Sequence, residues 1–404
     1  MPIDTSLVDI QSHGVYVDGP PHDTFAVLRR EAPIFRHEGK NPGDTPWFWA
    51  ITRHADIVAV SRQFQTYSAA RKGVTMFEDR ADMEVARMLI DTDPPEHTRL
   101  RGLVNRGFTP RAIKMLADHY VDVTKRLVDE AIEEGEVDFV TKVAAELPLI
   151  AIAEMMGLPM EDRHKVFDWS NRMIATSDSD YSSGMEDATA AAGELYMYAQ
   201  ELAADRRANP RDDIISILVG AEDGDQLSEH EFNLFVLLLS VAGSETTRNG
   251  ISHGVLSLME HPAEWARLRA DPSLVDSAVE EILRWATPVN LFRRTATCDV
   301  ELHGQHIAEN ESVVIFYASG NRDEDVFDRP DTFDITRSPN PHLTFGGGGP
   351  HFCLGSNLAR LEMRAVFDEL ARRCDHIEQT GEVHRLRSSF INGIKTLPVR
   401  LVPA

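Results

Sequence analysis

A glycine-rich loop with one cysteine has the most distinctive chemistry in the sequence. It reads Phe-Gly-Gly-Gly-Gly-Pro-His-Phe-Cys-Leu-Gly over Phe345–Gly355, and the residues after it, 357–370, are rich in helix formers. Glycines let backbone N–H groups approach the Cys353 sulfur, and these groups together with the dipole of the following helix lower the pKa of a thiol. We therefore expect a stabilised thiolate, which is a good ligand for soft metal ions.

Two rival kinds of site fit this loop less well than haem does. A phosphate-binding loop would carry a Lys-Ser or Lys-Thr pair after the glycines, and none follows them. A zinc site needs more protein ligands, whereas Cys298 and Cys374 lie far from the loop in the sequence. A single thiolate suits a cofactor that brings its other ligands with it, and haem does so with four pyrrole nitrogens.

Residues 228–260 predict one long, buried helix with polar residues in its middle. Ser228 and Glu231 form a capping box at its start, and the helical pattern continues to Glu260. At ~1.5 Å per residue the helix is roughly 50 Å long, so it crosses the whole protein. Its first half is apolar on every side, which predicts burial in the core, and the segment Gly243-Ser-Glu-Thr-Thr247 then interrupts the apolar run.

Two interpretations of this polar segment are about equally supported by its residues alone. In the functional one, Ala242 and Thr246 lie on one helix face, so a small side chain and a hydroxyl project into the same space. Gly243 would then let a flat group or a substrate approach the backbone. In the structural one, Glu245 pairs with Arg248, and Thr246 donates a hydrogen bond to the Ala242 carbonyl and kinks the helix.

With these motifs in view, the chain resembles a bacterial cytochrome P450, a haem-thiolate monooxygenase, over nearly its whole length. The resemblance implies that haem b is the cofactor, that Cys353 is the axial ligand of its iron and that His351 contacts a haem propionate. Glu281-Ile-Leu-Arg284 matches the Glu-x-x-Arg signature of the family. In the family this pair joins a later arginine, here Arg337, in a structural network behind the haem.

The same resemblance implies roles for residues in three further segments. Ala242-Gly-Ser-Glu-Thr246 is similar to the oxygen-activation segment of the family, which makes Glu245 and Thr246 a catalytic acid–alcohol pair for proton delivery. The segment Asp93–Arg101 is similar to the one whose His97 and Arg101 hold a propionate, and Arg294 matches a further propionate-binding arginine. These cations would bind two carboxylates in a partly buried site, where bidentate arginine contacts are strong.

The expected substrate is bulky and hydrophobic: a sterol, a terpenoid or a methyl-branched lipid, with a straight-chain fatty acid as the nearest rival. By analogy with the family, apolar or small residues of several segments line its pocket: Val74, Met76, Phe77, Ala242, Gly243, Val289, Leu291, Phe292, Phe390 and Ile391. Phe345 precedes Cys353 by one residue more than in the usual loop of the family. The resemblance links this longer loop to a branch that acts on sterols and branched lipids, and it leaves open which glycine packs over the sulfur.

The distribution of periodic segments predicts a mainly α fold with small β regions, and the resemblance implies a single large domain of the cytochrome P450 fold over residues 1–404. A β-containing N-terminal part covers about residues 1–110, a helical body about 111–290, and a C-terminal part with the haem loop and β-strands about 291–404. Strands are predicted at Trp47–Thr52, Cys298–Leu302 and Ser312–Phe316, with a hairpin at Phe390–Ile394. Apolar residues recur at helical spacing between 111 and 259.

Composition and charge exclude several classes of protein. The 404 residues include 41 basic and 65 acidic side chains, a formal net charge of −24, which excludes a bare nucleic-acid binder. Three scattered cysteines argue against a disulfide framework. No secretory signal is legible, and the longest apolar runs are far shorter than the ~18 residues that span a bilayer. We expect a cytoplasmic monomer without a membrane anchor.

The chain contains no flavin or iron–sulfur module, so its electrons must come from separate proteins. We expect a ferredoxin and a ferredoxin reductase that draws electrons from NAD(P)H. A basic patch on the cysteine side would receive the ferredoxin: Arg99, Arg106, Arg111, Lys114, Arg360 and Arg364. The alternative is an ordinary solvated set of helix charges. A peroxide-using peroxygenase that acts on fatty acids and a non-catalytic haem sensor remain alternative functions.

Overall fold

The computed structural model describes residues 4–41, 43–76, 87–220 and 227–404. The α-helices of this part of the chain are, in order, α1 (His22–Glu31), α2 (His54–Arg62), α3 (Glu96–Val104), α4 (Pro110–Met115), α5 (Ala117–Glu134), α6 (Glu146–Met156), α7 (Arg163–Ile174), α8 (Met185–Ala208), α9 (Ile214–Val219), α10 (Glu229–Glu260), α11 (Pro262–Ala270), α12 (Val275–Ala286), α13 (Tyr317–Gly320) and α14 (Ser356–Arg373). The mainly helical fold that the sequence predicts is confirmed.

Short strands form small sheets beside the helices. They are β1 (Ile34–Glu38), β2 (Trp47–Ile51), β3 (Tyr67–Ser68), β4 (Glu136–Asp138), β5 (Leu291–Ala296), β6 (Val300–Leu302), β7 (Gln305–Ile307), β8 (Ser312–Phe316), β9 (Cys374–Gln379), β10 (His384–Arg385), β11 (Ile394–Thr396) and β12 (Pro398–Pro403). The largest sheet has the order β1-β2-β8-β5-β3, with β2 and β8 parallel and the other pairs antiparallel. The early and late strands thus belong to one sheet.

Three predicted elements differ in detail from the observed ones. The strand predicted from Cys298 begins only at Val300, because a bend precedes it. The predicted hairpin at Phe390–Ile394 occupies the connection between β10 and β11, where Ile391 forms an isolated bridge with Val289. Strand β4 interrupts the predicted helical stretch, since three residues carry too little periodicity to mark a strand.

Helix α10 is the central element on which the other helices pack. Its capping box is confirmed: the Ser228 hydroxyl accepts a hydrogen bond from the Glu231 N–H at 3.2 Å, and the Ser228 N–H donates to the Glu231 carboxylate at 2.7 Å. Helices α6, α7, α8, α12 and α14 all contact α10. Within the described residues no helix has the length and apolar character needed to traverse a lipid bilayer.

The Glu-x-x-Arg pair lies in a fully buried network, as predicted. Glu281 and Arg284 form an ion pair at 2.8 Å, and Arg337 Nε lies 3.1 Å from the Glu281 carboxylate. Arg284 also donates hydrogen bonds to the backbone carbonyls of Asn321 and Pro330, each at 2.9 Å. These additional hydrogen bonds offset the cost of burying the charges, so the network fixes α12 to the chain that leads into the glycine loop.

Candidate active site

The glycine loop adopts a backbone that only glycine accepts easily. Gly346, Gly348 and Gly349 have φ values of +97°, +90° and +78°. A Cβ atom on Gly349 would lie 2.4 Å from the Ser61 carbonyl oxygen, so the loop presses directly against the end of α2. The Cys353 N–H donates to the Phe345 carbonyl at 2.9 Å, which closes the loop just before α14.

Cys353 faces an internal cavity in the middle of the molecule. Its side chain is accessible, and the space that it faces is this cavity, which Gly346 and Gly355 also line. Burial raises the pKa of the Cys353 thiol, while backbone N–H groups of Gly355 and Ser356 and the charge of Arg101 oppose that rise. The expected net lowering of this pKa is wrong for the protein alone, because desolvation outweighs the hydrogen bonds. A coordinated metal ion removes the proton from a thiol directly.

Four basic side chains from three parts of the chain line the same cavity. His97 and Arg101 come from α3, Arg294 from β5 and His351 from the glycine loop. The rings of His97 and His351 have centroids 4.5 Å apart. Arg101 donates to the Pro350 carbonyl at 3.0 Å and Arg294 to a neighbouring carbonyl at 2.7 Å. None of the four forms an ion pair with a carboxylate in the described parts of the chain.

Burial lowers the pKa values of all four groups. Burial, reinforced by the charges of Arg294, His97 and Arg101, lowers the pKa of His351 to about 2. Burial and the charge of Arg101 lower the pKa of His97 to about 4. The His351 Nε2 atom is buried and has no hydrogen-bond partner among the described residues. The charges of Asp91 and Asp93 reach Arg294, but no carboxylate of the described residues pairs directly with the cluster. It therefore fits the two carboxylates of a haem whose iron would lie at Cys353.

The polar segment of α10 contributes Ala242, Gly243 and Thr246 to the cavity lining. The Thr246 hydroxyl donates to the Ala242 carbonyl at 2.9 Å, as the structural interpretation anticipates. A Cβ atom on Gly243 would lie 2.8 Å from the Cδ1 atom of Ile152, so this glycine permits the close approach of α6. The helix therefore has both the small residues of the functional interpretation and the backbone hydrogen bond of the structural one.

Glu245 lies behind this face, outside the described cavity lining. Its side chain is buried and forms an ion pair with Arg248. Asn249 donates a second hydrogen bond to the same carboxylate oxygen at 3.0 Å. The predicted acid–alcohol pair is thus adjacent in sequence, but its two side chains point to different surroundings.

Only part of the predicted substrate set reaches the cavity. Val289 and Phe292 line it together with Ala242 and Gly243. Leu291 points to the opposite face of the sheet, into a cluster with Met76, because successive residues of a strand alternate. Five predicted residues are absent from the described lining: Val74, Met76, Leu291, Phe390 and Ile391. Phe77 lies outside the described residues.

Several cavity residues were not singled out from the sequence. Ile152 lies on an apolar helix that reads as ordinary core, and Tyr317 directly follows the predicted strand Ser312–Phe316. Neither position carries a local signal of function. The further residues of this kind are Leu89, Ile90, Phe108, Leu239, Thr247, Leu283, Thr344, Leu358, Ala359 and Met363.

Three of the six residues in the predicted basic patch form ion pairs with carboxylates of the protein. Arg99 pairs with Glu231 at 2.8 Å, and Arg360 and Arg364 pair with acidic residues of α12 at 2.6 Å each. Arg111 and Lys114 are exposed on α4. The side chain of Arg106 lies outside the described residues.

A thiol at a helix start, a cluster of cations and a hydroxyl on a long helix together define a haem-thiolate site. Residues 147–399 match the family model described as Cytochrome P450. The chain is 44% identical over 402 residues to a steroid C26-monooxygenase of Rhodococcus jostii, which covers 97% of this chain and 84% of the relative. It is also 44% identical over 384 residues to a methyl-branched lipid omega-hydroxylase of Mycobacterium tuberculosis, which covers 93% and 90%.

Solved structures agree with this match. A Mycobacterium marinum cytochrome P450 in complex with pseudoionone superposes with a TM-score of 0.91 at 40% identity and covers 99% of each chain. A Bacillus megaterium enzyme in complex with testosterone superposes with a TM-score of 0.84 at 32% identity and covers 94% of this chain and 97% of that one. The chain belongs to the cytochrome P450 family, and it is a monooxygenase with a haem cofactor.

Replacing Cys353 by histidine should change the ligand of the haem iron. The reduced wild-type protein with carbon monoxide should show the long-wavelength absorption band that thiolate ligation produces. Cys353→His should move this band to the shorter wavelength of imidazole ligation, while Cys298→Ser, at an exposed cysteine, should leave it unchanged. A Cys353→His protein that keeps the thiolate band would contradict the assignment.

Proposed function

We propose that this enzyme hydroxylates an unactivated C–H bond of a bulky hydrophobic substrate: a sterol, a terpenoid or a methyl-branched lipid. The observation that carries the proposal is the distribution of polarity in the cavity. The charged side chains among its described lining residues are Arg101 and Arg294, which belong to the cation cluster, while Ile152, Val289 and Phe292 are apolar residues that line the same cavity as Thr246. Burial of the apolar surface of the substrate therefore supplies the binding free energy, about 25 cal/mol per Å² of buried area.

The names of two relatives support the same substrate class. One is a steroid monooxygenase and the other a methyl-branched lipid hydroxylase, and each is 44% identical to this chain. A small acid such as benzoate would need a cation as its partner, and the two arginines of the described lining are assigned here to the haem carboxylates. The lipid or sterol is instead held by shape and apolar contact.

Each residue of the site has a separate task in this proposal. When bound, haem supplies the iron at which dioxygen is reduced and the C–H bond is oxidised. Cys353 ligates the iron through sulfur, and His97, Arg101, Arg294 and His351 orient the cofactor through its carboxylates. Thr246 would hold a proton at its hydroxyl at the cavity wall, and Glu245, buried behind that face of the helix, would relay the proton to it through water.

The electron donors that we propose are a ferredoxin and its NAD(P)H-dependent reductase. The exposed Arg111 and Lys114, on the helix that follows the cation segment, offer positive charge despite the net charge of −24. The ion pairs of Arg99, Arg360 and Arg364 reduce the charge that the rest of this patch presents. We further propose that the enzyme works as a monomer in the cytoplasm, where NAD(P)H is available.

Thr246→Ala should divert electrons from product to peroxide while the fold and the haem are retained. The Thr246 hydroxyl bonds only within its own helix in the described structure, so the free energy of unfolding should change by no more than about 1–2 kcal/mol. Ser244→Ala is the matched control, because Ser244 makes the same kind of bond, 2.7 Å to the Ser240 carbonyl, away from the cavity. Product formed per reductant consumed is the measurement. An unchanged ratio in Thr246→Ala would refute its role.

A spectral titration against steroids, terpenoids, branched lipids, straight-chain fatty acids and benzoate tests the proposed substrate class. Sterols or branched lipids should give high-spin shifts with micromolar Kd values, the ~8 kcal/mol scale. Phe292→Ala should raise Kd about tenfold or more, because it removes a buried aromatic contact, whereas Phe390→Ala, outside the described lining, should raise it less. A clear preference for benzoate over every lipid would refute the proposal.

The alternatives predict different turnover with different oxidants. The monooxygenase forms product with dioxygen, reductant and redox partners. A peroxygenase would form product faster with hydrogen peroxide, and a haem sensor would form none with either oxidant.

A further inference from the structure

Glu245 occupies a buried pocket of its own between three elements. The residue is about 1% exposed, and its Oε1 atom accepts hydrogen bonds from both Arg248 and Asn249. Its Oε2 atom is buried and has no hydrogen-bond partner in the described structure, and the same holds for the Nε atom of Arg248. One oxygen of this acid therefore accepts two hydrogen bonds, and the other accepts none from the described residues.

Each of the two residues that hold Oε1 is anchored on another element. Arg248 donates to the side-chain oxygen of Asn171 on α7 at 3.0 Å, and its guanidinium lies 5.1 Å from the ring centroid of Phe167 on the same helix. Asn249 accepts a hydrogen bond from the Ile394 N–H of β11 at 3.2 Å. The position of the Glu245 carboxylate thus depends on α7 and on the C-terminal hairpin.

Protonation of Glu245 would weaken its ion pair with Arg248. A buried carboxylate oxygen without a protein partner is ordinarily served by an internal water molecule, and such a water would give Oε2 a source of protons. When Oε2 takes a proton, the carboxylic acid is neutral and the attraction of Arg248 falls. Arg248 stays buried, and it then relies on the oxygen of Asn171 and the face of Phe167.

We propose that Asn171 is a positioning residue for proton delivery, because it supports Arg248 whenever protonated Glu245 leaves the ion pair. The inference rests on the proposed function of Glu245 and Thr246. A proton passes from solvent through water to Oε2, where carboxylate becomes carboxylic acid. The same proton then passes towards Thr246, the carboxylate is restored, and the ion pair with Arg248 forms again. Electrons come from the proposed ferredoxin, so the step needs no further reactant.

The test compares asparagine variants in the haem-loaded enzyme with its redox partners and substrate. Asn171→Leu removes the oxygen that supports Arg248, so kcat should fall about tenfold, the solvent deuterium isotope effect should rise, and less product should form per reductant. Asn171→Gln keeps a neutral acceptor oxygen and should retain more of the wild-type values than Asn171→Leu does. Asn233→Leu on α10 is the matched control, because it removes a 2.5 Å hydrogen bond from Gln200 without touching Glu245.

The haem spectrum and the free energy of unfolding of each variant show that it is folded. If Asn171→Leu does not fold, Asn171→Ala removes the same oxygen without added bulk and takes its place. A folded variant with the wild-type isotope effect and product yield overturns the inference and leaves the proposed function intact. If the wild type hydroxylates no hydrophobic substrate, the proposed function fails. A high-resolution crystal structure then decides the inference: ordered water at Glu245 Oε2 supports it, and a dry, sealed Oε2 overturns it.

Discussion

Four basic side chains line the interior cavity of this protein, and among the described residues no carboxylate forms a direct ion pair with any of them. Burial lowers the pKa of Arg294, and burial together with the neighbouring arginines lowers the pKa of His351 to about 2. A buried cation without a counter-ion destabilises a folded chain, and a buried ring nitrogen without a partner adds to that cost. An anionic ligand that binds only the folded protein removes both penalties and stabilises the fold by mass action. Haem, with its two carboxylates, is an anionic ligand of this kind.

The fold brings this cluster and the Cys353 thiol to one cavity. Arg294 comes from the large sheet and Arg101 from α3, whereas Cys353 and His351 come from the glycine loop. The buried Glu281–Arg284 pair fixes the chain before that loop through the Asn321 carbonyl, and the Asn321 side chain in turn accepts from the Leu343 N–H at 2.6 Å. The loop then lies against the end of α2 because its glycines leave no side chains in the way.

Features that depend on a few neighbouring residues could be predicted from the sequence. The capping box of α10, the glycine loop and the Glu281–Arg284 pair are of this kind, since spacing alone brings their groups together. The phase of β5 could not be predicted, because either Leu291 or Phe292 could face the cavity until the partner strands are known. The surroundings of Glu245 were also undetermined, because they depend on α7 and β11, which are distant in sequence. The pKa of the Cys353 thiol is raised, whereas the sequence predicted a lowered one. Burial is the cause, and burial depends on the whole fold and not on the glycine loop alone.

Recognition of the cofactor carboxylates by the unpaired basic side chains is the interaction on which the site depends most. The direct measurement is the affinity of the cofactor-free protein for ferric haem and for its dimethyl ester, which has the same ring and iron but no carboxylates. Loss of two charge-assisted hydrogen bonds costs about 3 kcal/mol or more, so haem should bind about 100-fold or more tightly than the ester. Equal affinities would contradict the account, since the buried cations would then have no part in holding the cofactor.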